Sequence, residues 1–141
     1  MAKVIIYQNS DGHATIVHRA NQSISFEDLA KKVVPSGTSY EIVEDTQIPS
    51  DRTFRNAWVK GSGVVNEDVT KAKVLAHDIR REKRLTEFIP HDEIIMLNVP
   101  GTDATAAETE RVKIRTKYET MQTNIDNATD IAGIKTALGG G

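Results

Sequence analysis

Short hydrophobic alternations separated by turn residues fill the first part of the chain. Residues 4–8 and Ala14–His18 are rich in β-branched side chains, and Asp11-Gly12 lies between them. Because Asp-Gly tolerates positive φ, this pattern predicts an antiparallel hairpin of the two segments. Tyr40–Glu44 alternates more weakly and predicts a third strand.

Between the second and third strands the hydrophobic spacing becomes that of a helix. Apolar residues recur three and four positions apart, at Phe26, Leu29, Ala30 and Val33. Ser25 precedes them and is a residue type that caps helix N-termini. Since Pro35 disfavours helical backbone in the residue before it, we expect the helix to end near Val34.

Residues 49–58 separate these short elements from long helical patterns. The stretch holds Trp58, the only tryptophan of the chain, together with Phe54, Arg52 and Arg55. One interpretation is a short helix capped by Ser50. In that helix Phe54 and Trp58 are four residues apart and share one face.

The other interpretation is a short strand over residues 58–60 that ends at Gly61-Ser62-Gly63. This glycine-serine segment is the strongest boundary signal inside the chain. The two aromatic side chains either fill a small core, which composition alone favours, or form an exposed patch with the arginines. Aromatic and arginine side chains are enriched at interface hot spots.

Two long helical patterns follow. The first covers residues 67–87, with Asn66 as the candidate N-cap, acidic residues early and basic residues late, as the helix dipole favours. We expect Pro90 to stop this helix. Residues 91–101 then form a connector whose apolar centre is either extended or a single helical turn.

The second long pattern is a coiled-coil-like stripe with alternate steps of three and four residues. Thr102 or Asp103 caps it, and its members are Ala104, Ala107, Arg111, Ile114, Tyr118, Met121, Ile125 and Ala128. Thr129 or Asp130 then opens a short last helix. Residues 139–141 form a frayed glycine tail.

These elements predict an α+β fold in two parts. Residues 1–64 form a small head of hairpin, helix and strand, and residues 65–141 form a helical hairpin arm. An isolated hairpin of two helices buries little apolar surface. The arm is therefore expected to pack on the head, on a second copy or on a different protein.

Composition narrows the classes of partner. The 141 residues carry a net charge of −2, so we expect no bulk attraction to nucleic acid or to an anionic membrane. The chain has no cysteine, and no segment approaches the roughly 20 apolar residues of a membrane helix. The apolar run at the N-terminus is too short for a signal peptide, so we expect the protein to act in the cytoplasm.

No arrangement of residues predicts catalysis, a cofactor or a metal site. The histidines lack the spacing of a zinc motif, at His13, His18, His77 and His91. Asp126 and Asp130 lack the calcium-loop pattern. The basic cluster at residues 80–84 is short and interrupted by Glu82, so a solvated helix end is expected rather than a nucleic-acid site. We therefore expect a protein that is not an enzyme.

The chain resembles a family of small bacteriophage proteins that are encoded among tail genes. The most specific part of the resemblance is Ile48-Pro49-Ser50-Asp51-Arg52-Thr53-Phe54-Arg55-Asn56-Ala57-Trp58. The strands at residues 3–7 and 40–43 also resemble the family. The basic helix at residues 71–85 is similar to a helix of phage tail assembly chaperone-like proteins.

The resemblance implies a non-enzymatic phage protein that acts in tail or tail-fibre assembly in the host cytoplasm. Its partner would be a phage tail or fibre protein, or a second copy bound through the arm. The expected partner-binding residues are Arg52, Phe54, Arg55 and Trp58 in the head and Ile114, Tyr118, Met121 and Ile125 in the arm. The alternative is a permanent virion subunit that joins fibres or decorates the tail.

Overall fold

The computed structural model describes residues 2–98 and 100–139. The fold is α+β, with antiparallel strands first and helices after them, as the sequence predicts. The chain divides into two compact units, Met1–Lys71 and Ala72–Gly141. The predicted boundary after residue 64 is too early, because Val65–Glu67 is a strand that pairs with Trp58–Lys60 inside the first unit.

The described part of the first unit holds two antiparallel sheets. Its elements are β1 (Lys3–Gln8), β2 (Ala14–His18), α1 (Phe26–Val33), β3 (Tyr40–Glu44), β4 (Trp58–Lys60) and β5 (Val65–Glu67). The strand order of the larger sheet is β2-β1-β3, and β4 pairs with β5 in the smaller one. Between β3 and β4 lie two 3₁₀ turns, at Asp45–Gln47 and Arg55–Ala57.

The hairpin of β1 and β2 is confirmed in the predicted register, with Val4 opposite His18. Gly12 has a φ of 82°, the left-handed backbone that the Asp-Gly turn requires. Oδ1 of Asn9 closes the loop by accepting a hydrogen bond from the backbone N–H of His13 at 3.0 Å. The third strand is confirmed as well, because β3 pairs with the other edge of β1.

The core of the first unit lies against β1, which is covered on both faces. Val4 and Ile6 project to one face and are fully buried in a cluster with Val43, Trp58 and Val65. Ile5 projects to the opposite face and is also fully buried. A central strand buried on both sides explains why residues 4–6 are all apolar.

Helix α1 follows the prediction closely. Oγ of Ser25 accepts a hydrogen bond from the N–H of Asp28 at 3.1 Å, which is the expected N-cap. The helix ends at Val33, and the N–H of Val34 makes the last bond to the carbonyl of Ala30. Pro35 thus sits just past the helix end.

The strand interpretation of residues 58–60 is confirmed, and the helix capped by Ser50 is wrong. Gly61-Ser62-Gly63 lies in the loop of the β4–β5 hairpin and is no boundary between units. The N–H of Gly63 donates to Oε2 of Glu41 at 2.7 Å, and Lys60 Nζ lies 3.2 Å from the same oxygen. Both contacts lower the pKa of Glu41, and the hydrogen bond from Gly63 has the larger effect. Together they connect the β4–β5 hairpin to β3.

The second unit is an antiparallel pair of long helices followed by a short one. The elements are α2 (Val69–Leu97), whose first turn lies in the first unit, α3 (Ala104–Asn127) and α4 (Ile131–Ala137). Asp92 on α2 pairs with Arg111 near the start of α3, whereas His77 contacts Asp126 near its end. The predicted helical hairpin is therefore present.

Helix α2 is longer than predicted. It continues through Pro90 to Leu97, although proline removes one backbone hydrogen bond. Contacts on both sides of the proline hold the helix against α3, because Phe88 packs on Ile114 and Asp92 pairs with Arg111. The predicted connector is thus largely helical, and its residue 99 lies outside the described residues.

Besides Ser50, one more predicted cap is wrong. Asn66 belongs to β5, and Asp68 instead accepts the N–H of Lys71 at 2.9 Å at the start of α2. Asp103 caps α3 and Asp130 caps α4, as expected. No helix in the described ranges is long and apolar enough to cross a membrane. Gly140 and Gly141 of the predicted tail lie outside those ranges.

Candidate functional site

The turn around Arg52 and Arg55 is held by local hydrogen bonds. Oδ1 of Asp51 accepts the N–H of Thr53 at 2.9 Å and its hydroxyl at 2.6 Å. The N–H of Arg55 then donates to the carbonyl of Arg52 at 3.1 Å. This i to i+3 bond closes a tight turn just before the 3₁₀ turn Arg55–Ala57.

The aromatic residues of the same stretch point inward. Phe54 is fully buried and Trp58 is 2% exposed, whereas Arg52 and Arg55 are exposed. The interpretation of Phe54 and Trp58 as an exposed partner surface is wrong, because their large apolar area is more stable when removed from water. The core interpretation, which composition favoured, is confirmed for Trp58 by its cluster around Val4.

A groove of about 510 Å³ runs beside this turn. Arg52, Arg55 and one side of Trp58 line it, and Ile16, Ile48 and Pro49 complete its apolar part. Cζ of Arg52 lies 5.9 Å from the centroid of the Trp58 ring, a cation–π distance. We call this the arginine groove.

Two titratable side chains of other elements also reach the arginine groove. His18 comes from the end of β2 and Asp45 from the 3₁₀ turn after β3. Both are exposed. Sequence reasoning missed these two residues and the apolar lining, because only the folded chain brings segments around residues 16, 45 and 58 together.

The stripe of α3 is correctly predicted as apolar, but it is largely buried. Ile114, Tyr118 and Ile125 are between 0% and 8% exposed, and Met121 is half-buried. Phe88 of α2 packs against Ile114 and Tyr118, with Met121 at the edge of that cluster. The expectation of an exposed stripe at these residues is therefore wrong, since the second unit uses it to join its own helices.

Charged contacts surround this apolar cluster. Arg111, the charged member of the stripe, forms an ion pair with Asp92 at 2.8 Å and a hydrogen bond with Glu108 at 2.6 Å. Arg115 also donates to Glu108, at 3.0 Å. The hydrogen bond from Arg115 and then that from Arg111 lower the pKa of Glu108. The charge in the stripe is thus accommodated by pairing at its edge.

Tyr118 has a perturbed hydroxyl group. Burial, and then the nearby Glu87, raise its pKa above the usual value. Glu87 also accepts a hydrogen bond from Lys117 at 2.7 Å, which raises the pKa of Lys117. Beside this pair a groove of about 700 Å³ is lined partly by Tyr118, Met121 and Leu138. This groove leaves Met121 accessible, while the ring of Tyr118 stays buried.

The basic cluster of residues 80–84 is solvated as expected except at Arg80, and it lies in the middle of α2 rather than at a helix end. Arg80 is only 8% exposed, and burial lowers its pKa. Its Nε–H donates to Nδ1 of His77 at 3.3 Å, and Nε2 of His77 lies 2.8 Å from Asp126. Because Nδ1 accepts from Arg80, the ring proton of His77 lies on Nε2 and faces Asp126. This chain of contacts joins α2 to α3.

The two aspartates considered for calcium binding make contacts that stabilise the helices. Asp126 contacts His77, and Asp130 caps α4 through the N–H of Gly133 at 2.7 Å. Within residues 2–98 and 100–139, no three histidine, aspartate or glutamate side chains lie close enough together to hold a metal ion.

One face of α2 carries exposed apolar side chains that sequence reasoning did not single out. Val74, Leu85 and Met96 are 59%, 66% and 80% exposed, and Ile89 is 48% exposed. Residues 11 apart are about three helical turns apart, so the first three point in nearly the same direction. The 11-residue spacing was the available signal. We call these four residues the α2 row.

Comparison of the chain with protein-family models, with curated proteins and with solved structures finds no match.

Proposed function

We propose that this chain is a non-enzymatic bacteriophage protein that acts in tail or tail-fibre assembly through protein–protein contacts. The phage assignment rests on the sequence resemblance at residues 48–58. The observation that best supports a role in binding is the α2 row, because its four apolar side chains stay in water although the unit has its own core. Several apolar side chains exposed on one side of a helix are typical of an interaction site.

The side chains beside the α2 row favour a protein as the partner. Asp78 and Arg81 form an ion pair at 2.9 Å close to Leu85, and the acidic Glu82 and Glu93 are exposed nearby. A helix that binds an anionic membrane or nucleic acid carries mainly basic residues on its polar face. Mixed charge around an apolar strip is instead the composition of a protein interface with a polar rim.

In this proposal the α2 row covers apolar surface of an unassembled tail or fibre chain. From Val74 to Met96 the row covers 22 residue steps of helix, or roughly 33 Å at 1.5 Å per step. A partner helix laid along it would meet Leu85, Ile89 and Met96, which follow one another at steps of four and seven residues, as in helix-in-groove recognition. The permanent virion subunit that the resemblance also implies would use the same row without releasing it.

Co-expression with the tail and fibre chains of the same phage tests the proposal. We expect the tagged protein to capture one of these chains, and the double variant Leu85→Glu/Met96→Glu to reduce the captured amount at least tenfold. The control is Thr116→Glu/Gln122→Glu, which adds the same two charges at exposed polar positions of α3. It should capture as much as the wild type.

Two results would contradict the proposal in different ways. Equal capture by the wild type and by Leu85→Glu/Met96→Glu would remove the α2 row from the interaction. Failure of the wild type to capture any tail or fibre chain would remove the assembly function. Circular dichroism of each variant establishes that the helices are intact before capture is compared.

A further inference from the structure

We propose that the arginine groove binds a carboxylate-bearing peptide segment of a protein partner. The segment would present an aspartate or glutamate side chain next to an aliphatic one. This inference rests on the proposed function only in taking the ligand to be part of a protein. The arginine groove belongs to the first unit and shares no residue with the α2 row.

The first argument is the placement of two like charges. The hydrogen bond from the N–H of Arg55 to the carbonyl of Arg52 closes a turn that brings the two residues close together. Both side chains are exposed and both line the groove. Two positive guanidinium groups on one groove attract a negatively charged carboxylate. Guanidinium also matches a carboxylate with two parallel hydrogen bonds.

The second argument is that the protein backbone bearing these arginines is fixed before any ligand arrives. Asp51 closes the turn on its N-terminal side through Thr53. Phe54 and Ala57 anchor it, since both are fully buried. A preformed site loses little conformational entropy when it binds, so more of its contact energy appears as affinity.

The third argument concerns the class of anion. Ile16, Ile48 and Pro49 give the groove an apolar part that would contact an aliphatic side chain but offers nothing to a hydrated phosphate. Asp45 on the lining, together with a net charge of −2 for the chain, opposes a polyanion such as nucleic acid. The volume of about 510 Å³ lies within the range of small-ligand pockets.

Trp58 makes the test simple, because the only tryptophan of the chain lines this groove. The probe is a fluorescein-labelled peptide with the sequence Leu-Glu-Leu-Asp, blocked at both ends. Its matched control carries Gln and Asn in place of the two acids. We expect saturable binding by fluorescence anisotropy, a change in Trp58 emission with unlabelled acidic peptide, and at least tenfold weaker binding of the neutral peptide.

Variants locate the binding. The double variant Arg52→Gln/Arg55→Gln should bind the acidic peptide at least tenfold more weakly than the wild type does. Lys31→Gln/Lys32→Gln removes the same two charges from an exposed face of α1 and should change binding less than threefold. Both pairs are exposed, and circular dichroism checks that each variant is folded.

Several results would overturn this inference. They are equal binding of the acidic and neutral peptides, equal binding by the arginine variant and the wild type, and the absence of any peptide binding. A change of Trp58 emission with inorganic phosphate but not with peptide would assign a different anion. None of these results affects capture of tail or fibre chains through the α2 row, so the two proposals fail separately.

Discussion

Truncation of Trp58 to alanine should destabilise the first unit strongly. The side chain is 2% exposed and packs with Val4, Ile6, Val43 and Val65. Replacing a buried tryptophan by alanine costs about 3–5 kcal/mol. Within the described residues Nε1 of Trp58 is buried without a hydrogen-bond partner, which destabilises the folded wild type. The variant lacks this N–H group, so its net loss of stability is smaller. We therefore expect a value near the lower end, about 3 kcal/mol.

Hydrogen exchange of the β1 amides measures this loss in the first unit directly. At about 1.4 kcal/mol for each factor of ten, exchange should become roughly 100-fold faster in Trp58→Ala. Trp58→Phe keeps most of the apolar area and removes the unpartnered N–H, so we expect its stability to stay within about 1 kcal/mol of the wild type.

Arg52→Ala is the matched control from the same groove, because its side chain is exposed. Surface substitutions of this kind usually change stability by less than about 0.5 kcal/mol. Less than a threefold change in β1 exchange for Trp58→Ala would refute the core assignment. Such a result would instead indicate that Trp58 is a surface residue.

Three further predictions concern the second unit. Ile125→Ala, at a fully buried position, should lower the unfolding free energy by about 2–5 kcal/mol in urea titrations, and an effect below about 1 kcal/mol would contradict its burial. Asp103→Ala removes an N-cap that accepts two N–H groups and should cost about 1 kcal/mol, whereas Asp103→Asn should restore most of it. Glu108 has a folded-state pKa below its usual 4.5, so its contribution is present above pH 4.5 and is lost as the pH falls through the folded pKa. Below pH 4.5 the melting temperature of Glu108→Gln should therefore fall less steeply with decreasing pH than that of the wild type. The same pH dependence of the melting temperature in both proteins would contradict the pairing of Glu108 with the two arginines.

Features governed by neighbours in the chain could be predicted from the sequence. Ser25 was predicted as a cap, and Asp103 and Asp130 were each one of two adjacent candidates, because a cap is defined by residues one turn away. The β1–β2 hairpin was predicted in register because its turn chemistry fixes the pairing. These local rules were enough to give the α+β class and the helical hairpin.

Features governed by distant contacts could not be predicted in this way. Pro90 is a helix breaker by local rules, yet Phe88 and Asp92 on either side of it bind α3. Asn66 precedes acidic residues as a cap does, but its neighbours Val65 and Glu67 pair with β4. In both cases tertiary contacts outweigh the local preference.

The candidate site was only partly visible in the sequence. Arg52 and Arg55 were singled out, and the structure places both on one groove. The burial of Ile114 and Tyr118 could not be read from spacing, because the same apolar stripe serves a core or an interface. The α2 row was overlooked since its 11-residue spacing differs from the heptad pattern that marks α3.

The most direct test of the proposed assembly function is quantitative mass spectrometry of an infected-cell lysate and of purified particles of a phage that encodes this chain. The account predicts that the chain co-purifies from lysate with a tail or fibre protein and is depleted in finished particles. A fixed copy number in particles would identify the permanent virion subunit instead. The proposal would be contradicted if the chain is absent from particles and no tail or fibre protein co-purifies with it from lysate.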